Sequence, residues 1–394
     1  MSAAAPLDRP LPPWLDRLQR ASLLLTAFLY AGGYATVGLL VMLVAVVLEG
    51  AVLRRIPWRT TPLDLPIAAF IGLFLLSGAL SPYRVMAVSS TGLAALTIYL
   101  AFGLTARMVE RDPHDVIRLC WAWVIGGGVT ALVAMGLHFR TGAPASMPGL
   151  GQNAVGTTMV MTVVVALGLT LHARSRQRFL TGGIALLALA ALLFTYTRGA
   201  WLGMVVSLVL LIGLGGRRAA QAGVLVALVV LGIIAGSGER STLAVRARSI
   251  VMPSRHESRI YLLRSAVAIF ADHPILGTGM NTFPLVYPRY RLPGDVNPPD
   301  ARPNAHNIVF NTAAEGGVLG LTAFAALLVE TFRLGWRWQA RAEGATRGLG
   351  LALLAALAGM LVHQLFDGTL LSVHLGAGMW MLMAVLVSAP DPTT

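Results

Sequence analysis

The sequence predicts an all-α polytopic membrane protein with about twelve transmembrane helices. Three observations carry that prediction. Of the 394 residues 56% are hydrophobic, only 12% are charged, and apolar runs of 18 or more residues recur along the chain. A soluble chain is about 25% charged, and a run of that length can cross a bilayer. A soluble enzyme, a disordered chain and a disulfide-built fold are excluded.

In order, the spans fall near 15–31, 34–53, 64–81, 85–106, 116–138, 152–172, 179–197, 199–216, 219–236, 306–332, 346–366 and 371–388. The first pair divides the over-long run Leu15–Leu53, where Gly32-Gly33 offers a break. Orientation supports the division. With the N-terminus inside, every short cytoplasmic segment is basic, from Arg9, Arg17 and Arg20, through Arg54, Arg55 and Arg59, to Arg217 and Arg218, and to Arg333, Arg337, Arg341 and Arg347. The positive-inside rule asks for that pattern, and a single first helix would part the first two trios. Both termini are then cytoplasmic. The lead with Pro6, Pro10, Pro12 and Pro13 has no signal-peptide cleavage pattern. Residues 1–394 read as one integral membrane domain, whose substantial extramembrane segment, 237–305, lies outside between spans nine and ten.

All thirty basic residues are arginine. The missing lysine removes a P-loop, a Schiff base and a Ser-Lys dyad. The net charge of +13 follows from loop arginines and needs no nucleic acid. The lone Cys120 makes neither an intrachain disulfide nor a cysteine zinc site. No Asp-x-Asp pair, His/Cys cluster or Gly-rich nucleotide loop occurs, so no metal or other cofactor is expected. Any substrate diphosphate must be neutralised by arginine.

Twelve arginines fall outside, nine of them in the long loop, against five acids there. They read as a solvated loop touching head groups, or as a basic face receiving a phosphorylated lipid, since guanidinium forks grip phosphate oxygens in pairs. Arg198 interrupts Leu186–Leu214, where two spans meet almost without a loop. Around it Thr195, Tyr196, Thr197 and Trp201 favour a polar niche over snorkelling. Within the loop, Ser258–Ala271 reads as an amphipathic helix at the interface, with Ile260, Leu263, Val267 and Phe270 on one stripe and Arg259 and Arg264 flanking it. It stops at Asp272-His273-Pro274, and Gly277-Thr278-Gly279 and Asn281 make turns. Tyr287–Pro303 reads as irregular coil.

Span ten opens with Pro303-Asn304-Ala305-His306-Asn307. Asn307, Asn311 and Glu315 are spaced i, i+4, i+8 and share a helix face, and Gly316, Gly317 and Gly320 allow close packing. Such a stripe faces the protein interior or a wet cleft, because lipid would not tolerate it. It reads as an interhelical seam capped by His306. Joined to the outside arginines, it reads instead as a general base beside an anion site. His363 and Asp367 form a further i, i+4 pair that, with His374 nearby, suits interhelical packing better than the same cleft.

Together these residues resemble the bacterial O-antigen ligase and polymerase family. Its hallmarks are matched by Thr197-Arg198-Gly199, by Ser258-Arg259 running to His273-Pro274-Ile275-Leu276-Gly277-Thr278-Gly279, and by His306-Asn307 with Glu315-Gly316-Gly317. The likeness covers roughly Asn153 to Phe332. It implies a GT-C-type glycosyltransferase of the bacterial inner membrane that moves a glycan from undecaprenyl diphosphate to an acceptor at the periplasmic face, metal-independent and inverting. Length favours an O-antigen ligase using lipid A–core, in lipopolysaccharide biosynthesis. An O-antigen polymerase and a protein O-oligosaccharyltransferase are alternatives within the family. A lipid-linked glycan transporter is more distant, because the polar features gather at one face and the halves show no repeat. In such an enzyme His306 is expected to take the acceptor proton or, alternatively, only to hold the acceptor or its phosphate, and Arg198 and Arg259, with Arg264, to grip the donor diphosphate. Arg264, Asn307, Asn311, Glu315, Tyr196 and Trp201 would bind substrate.

Overall fold

The computed structural model describes residues 11–54, 58–172, 176–238, 241–249, 257–298, 303–342, 344–369 and 371–388. Of the residues singled out above, Pro6, Arg9, Pro10, Arg55 and the side chain of His374 lie outside that set. The described chain is helical, with one isolated bridge between Met147 and Leu150. The helices are α1 (Pro13–Tyr30), α2 (Ala35–Leu53), α3 (Asp64–Leu80), α4 (Arg84–Ile98), α5 (Leu104–Arg111), α6 (His114–Thr141), α7 (Gln152–His172), α8 (Arg176–Phe194), α9 (Arg198–Leu214), α10 (Gly216–Gly236), α11 (Thr242–Arg248), α12 (Glu257–Asp272), α13 (Phe283–Val286), α14 (Ile308–Arg341), α15 (Gly344–Gln364) and α16 (Val373–Ser388). A π-turn over Tyr99–Gly103 joins α4 to α5 without a break. Twelve long helices therefore stand where spans were expected. Eight are long and apolar enough to cross a membrane; α3, α9 and Leu375–Ser388 are apolar but shorter, and α1 carries Asp16, Arg17 and Arg20.

The breaks follow local chemistry. Gly33, at φ +84°, turns the chain between α1 and α2, a conformation glycine takes without steric penalty. The packing at the centre rests on small residues. Gly199, Gly203 and Ser207 follow one another at i, i+4, i+8 on α9 and press against α15. A Cβ on Gly203 would strike the Gly359 carbonyl, and Ser207 Oγ donates to the Ala355 carbonyl at 2.8 Å. Without a hydrophobic drive between helices in lipid, such close backbone approach is what binds them. Helix α7 completes the centre, with Gly168 against Ala352 of α15 and Gly156 against Ala200 of α9.

The first helices are locked at the end of the bundle where α1 begins. Arg107 of α5 forks onto Glu49 of α2, with both N···O distances 2.7 Å, and Gln19 of α1 donates to the same carboxylate at 2.6 Å. A buried pair survives only with this geometry and extra donors.

Helix α14 is broken in a way the sequence did not announce. Gly317 sits at φ +61°, ψ −165°, inside an otherwise helical run of 34 residues. The backbone groups freed there are taken up by the chain after α12. Thr278 and Gly279 N–H donate to the carbonyls of Ala314 and Glu315, at 3.1 and 2.8 Å. Val318 and Leu319 N–H donate to those of Pro274 and Ile275, at 2.8 and 3.3 Å. Non-helical backbone at membrane depth is tolerated where protein satisfies it. This pairing explains Gly277 and Gly317: a Cβ on either would collide with the opposing backbone. Phe74 of α3 fills the space beside Gly316 and Gly320.

Two expectations for the loop need correction. The buried face of α12 is Leu262, Ala266 and Ile269, packed on Phe283 and Tyr287, whereas Ile260 and Val267 are exposed. A helical wheel finds a stripe but not its partner, and here the following turn covers the neighbouring face. The segment from Tyr287 is not all coil, since Tyr287–Tyr290 form a 3-10 turn. It is braced by the Tyr287 hydroxyl on Asp295 and by Ser265 Oγ on the Tyr290 carbonyl at 2.9 Å.

Candidate functional site

The site is built on the turn that enters α14. His306 has φ +48°, a left-handed conformation uncommon for a residue with a Cβ and a recurrent mark of functional strain. Three asparagines hold it there. Asn304 Oδ1 accepts the His306 N–H at 2.8 Å, and Asn311 Oδ1 accepts the N–H of Ala305 at 3.1 Å. Asn307 Oδ1 caps α14 by accepting from Val309 and Phe310, while its Nδ2 donates to the Leu365 carbonyl at 2.9 Å. Asn307 is therefore the cap, at φ −156°, and not the first rung of a helical stripe with Asn311 and Glu315.

The imidazole Nδ1 is buried and lies 3.6 Å from Asp367 Oδ1. That is ion-pair range, slightly too long for a hydrogen bond, and such contacts tighten when a site fills. The side chain as a whole keeps 32% exposure. Asp367 lies beyond the end of α15, its carboxylate accepting from the Gly368 N–H at 3.0 Å and the Thr369 hydroxyl at 3.1 Å. Burial alone would raise its pKa; contacts with His306, His363 and Thr369 outweigh that and hold it below the usual carboxylate range. Half-buried Arg259 of α12 stands within electrostatic reach of Asp367, its own pKa lowered by burial.

His363 goes to packing, as expected. It shares a 2.8 Å hydrogen bond with Thr157 of α7. Its i+4 neighbour does not follow it, because the helix ends at Gln364 and frees Asp367 to face His306. The i, i+4 spacing singles this acid out but favours packing over the cleft, whereas the structure sets it against His306.

Arg198 opens α9 and donates to the carbonyl and hydroxyl of Ser249, both at 3.1 Å, tying that junction to the residue that caps α11. Gly199 beside it abuts His363 and Phe366, which brings the start of α9 to the end of α15 where Asp367 lies. Arg264 is exposed, and a five-residue offset turns it about 140° around the helix from Arg259. Tyr196 packs with His138 and Phe194, at ring distances of 6.0 and 6.2 Å, and buried Trp201 donates its Nε1 to the Leu192 carbonyl at 3.1 Å. Both side chains shape the α8–α9 turn.

Glu315 Oε1 accepts the Phe283 N–H at 3.0 Å, and the carboxylate also takes the N–H groups of Asn281 and Thr282 and the Asn311 amide. It anchors the loop to α14. With Asn281, Asn304, Asn311 and Thr369 it lines a cleft of about 350 Å³ whose other wall includes Phe70 and Phe74.

Residues 183–325 match the family model described as O-antigen ligase. That stretch contains Arg198, Arg259 and His306 and ends before Asp367. Among solved structures, a chain from work on the coordination of polymerization and crosslinking by a peptidoglycan synthase complex is 15% identical, covering 84% of this chain and 98% of that one, with a TM-score of 0.44. No curated protein matches the sequence. Over residues 183–325, which hold His306, Arg198 and Arg259, the chain is similar to the O-antigen ligase family.

Proposed function

We infer that the protein is a GT-C-type O-antigen ligase of the bacterial inner membrane, crossing it twelve times with both termini in the cytoplasm. It transfers a glycan from undecaprenyl diphosphate to lipid A–core at the periplasmic face. The observation that carries this reading is the His306 turn, with Nδ1 buried 3.6 Å from Asp367 and the side chain still 32% exposed, and with Arg259 within electrostatic reach of the same carboxylate.

In the proposed step an acceptor sugar oxygen attacks the anomeric carbon of the donor. Its proton passes to His306 Nε2, and Asp367 holds the ring orientation and stabilises the imidazolium that forms. The bond from the anomeric carbon to the diphosphate oxygen breaks as the new bond forms, so the anomeric centre inverts. Arg259 and Arg198 neutralise the charge that develops on the departing diphosphate. Asn304, Asn307 and Asn311 act through the backbone, keeping the imidazole in place.

The test incubates purified protein with lipid-linked glycan and lipid A–core and determines product and linkage. Transfer with inversion is expected. His306→Ala and Arg259→Ala should fall at least a hundredfold at unchanged expression, within the range of a lost general base, and Asp367→Asn should lower kcat more than it raises KM. Retention of configuration, or a fully active His306→Ala, would sink the mechanism. Chain growth on the lipid carrier with lipid A–core untouched would make the protein a polymerase.

A further inference from the structure

At the end of the bundle away from His306, α9, α10 and α15 enclose a second cavity of about 450 Å³. Arg217 and Arg218, in the first turn of α10, and Arg347, in the first turn of α15, line it together with Leu171, Leu214 and Leu351. Helix α9 runs from Arg198 to this cavity and α15 runs from it to His363, so roughly 25 Å separate it from the site above.

Two features distinguish these arginines. Several other arginines have carboxylate partners: Arg20 and Arg118 on Asp112 and Asp115, Arg107 on Glu49, Arg59 on Glu110, and Arg333 on Glu330. Among the described residues no carboxylate lines this cavity, and the positive ends of two helix dipoles point into it. The cavity also continues, through Leu214 and Leu351, into a groove of about 310 Å³ lined by Leu210, Phe332, Trp336 and Leu354 and almost wholly apolar. Trp336 at the groove is 47% exposed, as tryptophans at the head-group level are.

An arginine cup meeting an apolar channel has the shape of one ligand class. We propose that this is a binding site for an anionic membrane phospholipid. Its phosphate sits among Arg217, Arg218 and Arg347, and one acyl chain lies in the groove beside Leu210 and Trp336. Free phosphate satisfies only the cup, and a zwitterionic lipid leaves the excess of positive charge uncompensated. Basic pockets between membrane helices are built to hold anionic head groups.

The test uses full-length protein, delipidated in neutral detergent and titrated with short-chain phosphatidylglycerol, phosphatidylcholine or glycerol phosphate, with retained lipid read by native mass spectrometry. Phosphatidylglycerol should be retained at least tenfold over phosphatidylcholine, and glycerol phosphate should not displace it at equal concentration. The triple variant R217A/R218A/R347A should lose that preference. The triple variant R54A/R176A/R178A removes equal charge elsewhere and should keep it. Leu214→Trp at an exposed position plugs the groove without touching charge and should lower retention at least fivefold, which covers the case of a triple variant that fails to fold. Equal retention of both lipids, equal loss in both triple variants, displacement by glycerol phosphate, or full retention in Leu214→Trp would each overturn the proposal.

Discussion

His306 shows how much scaffolding one side chain receives. A left-handed backbone on a residue with a Cβ costs about 1–3 kcal/mol, and three asparagine side chains hold it in place. Glu315 is the opposite case, a carboxylate at the heart of a motif whose oxygen serves the backbone of the loop. The two roles separate experimentally. Glu315→Gln keeps an acceptor for the Phe283 N–H and should retain transfer within about threefold. Glu315→Ala strands buried donors, a loss of about 1–3 kcal/mol, and should lower thermal stability and activity together. An inactive but fully stable Glu315→Gln would return this residue to the chemistry.

At the scale of elements, the pairing of the 274–279 segment with the break in α14 turns a loop and a membrane helix into one unit. Gly317→Ala tests it. The conformation at φ +61°, ψ −165° admits essentially glycine alone, so a loss of about 1–3 kcal/mol is expected, read as a lower midpoint in thermal unfolding; an unchanged midpoint would disprove the pairing. The brace from Tyr287 to Asp295 yields a pH prediction. Burial raises the Asp295 pKa, but hydrogen bonds from Tyr287 and Asn297 and the charge of Arg291 carry it below the ordinary value. A depressed carboxylate contributes stability above its unfolded pKa, near 3.9, and loses it as pH falls through the folded value. Asp295→Asn should therefore be cut faster than wild type within the loop at neutral pH, and the two should converge as pH falls through the folded value. Equal cutting at neutral pH would mean that the brace does not hold the loop.

For the whole molecule, the alternation of helices places the His306 turn at one end and the Arg217, Arg218 and Arg347 cup at the other. The proposed topology puts the first outside and the second in the cytoplasm. Cys120 is buried, so replacing it by alanine gives a blank background for labelling. Val296→Cys in the loop should react with an impermeant maleimide in intact cells, whereas Arg218→Cys should react only after permeabilisation. The reverse pattern would invert the topology and remove the periplasmic assignment.

Run length was enough to locate the long helices and the break at Gly32-Gly33, because a segment that crosses a bilayer needs a fixed apolar length. The motifs around Arg198, Arg259 and His306 were equally legible, since polar residues at the edges of apolar runs stand out. What those residues touch was not. Asp367 lies 61 positions from His306 and meets it only because α15 ends at Gln364. Glu315 shared a helical spacing with Asn311, yet it serves the loop because α14 opens two residues later. The arginine cup reads in sequence as ordinary positive-inside charge, and only the convergence of α9, α10 and α15 makes it a cavity. Periodicity is a local property of one helix, whereas partners across a break or a bundle are chosen by where the backbone groups freed by that break find their hydrogen bonds.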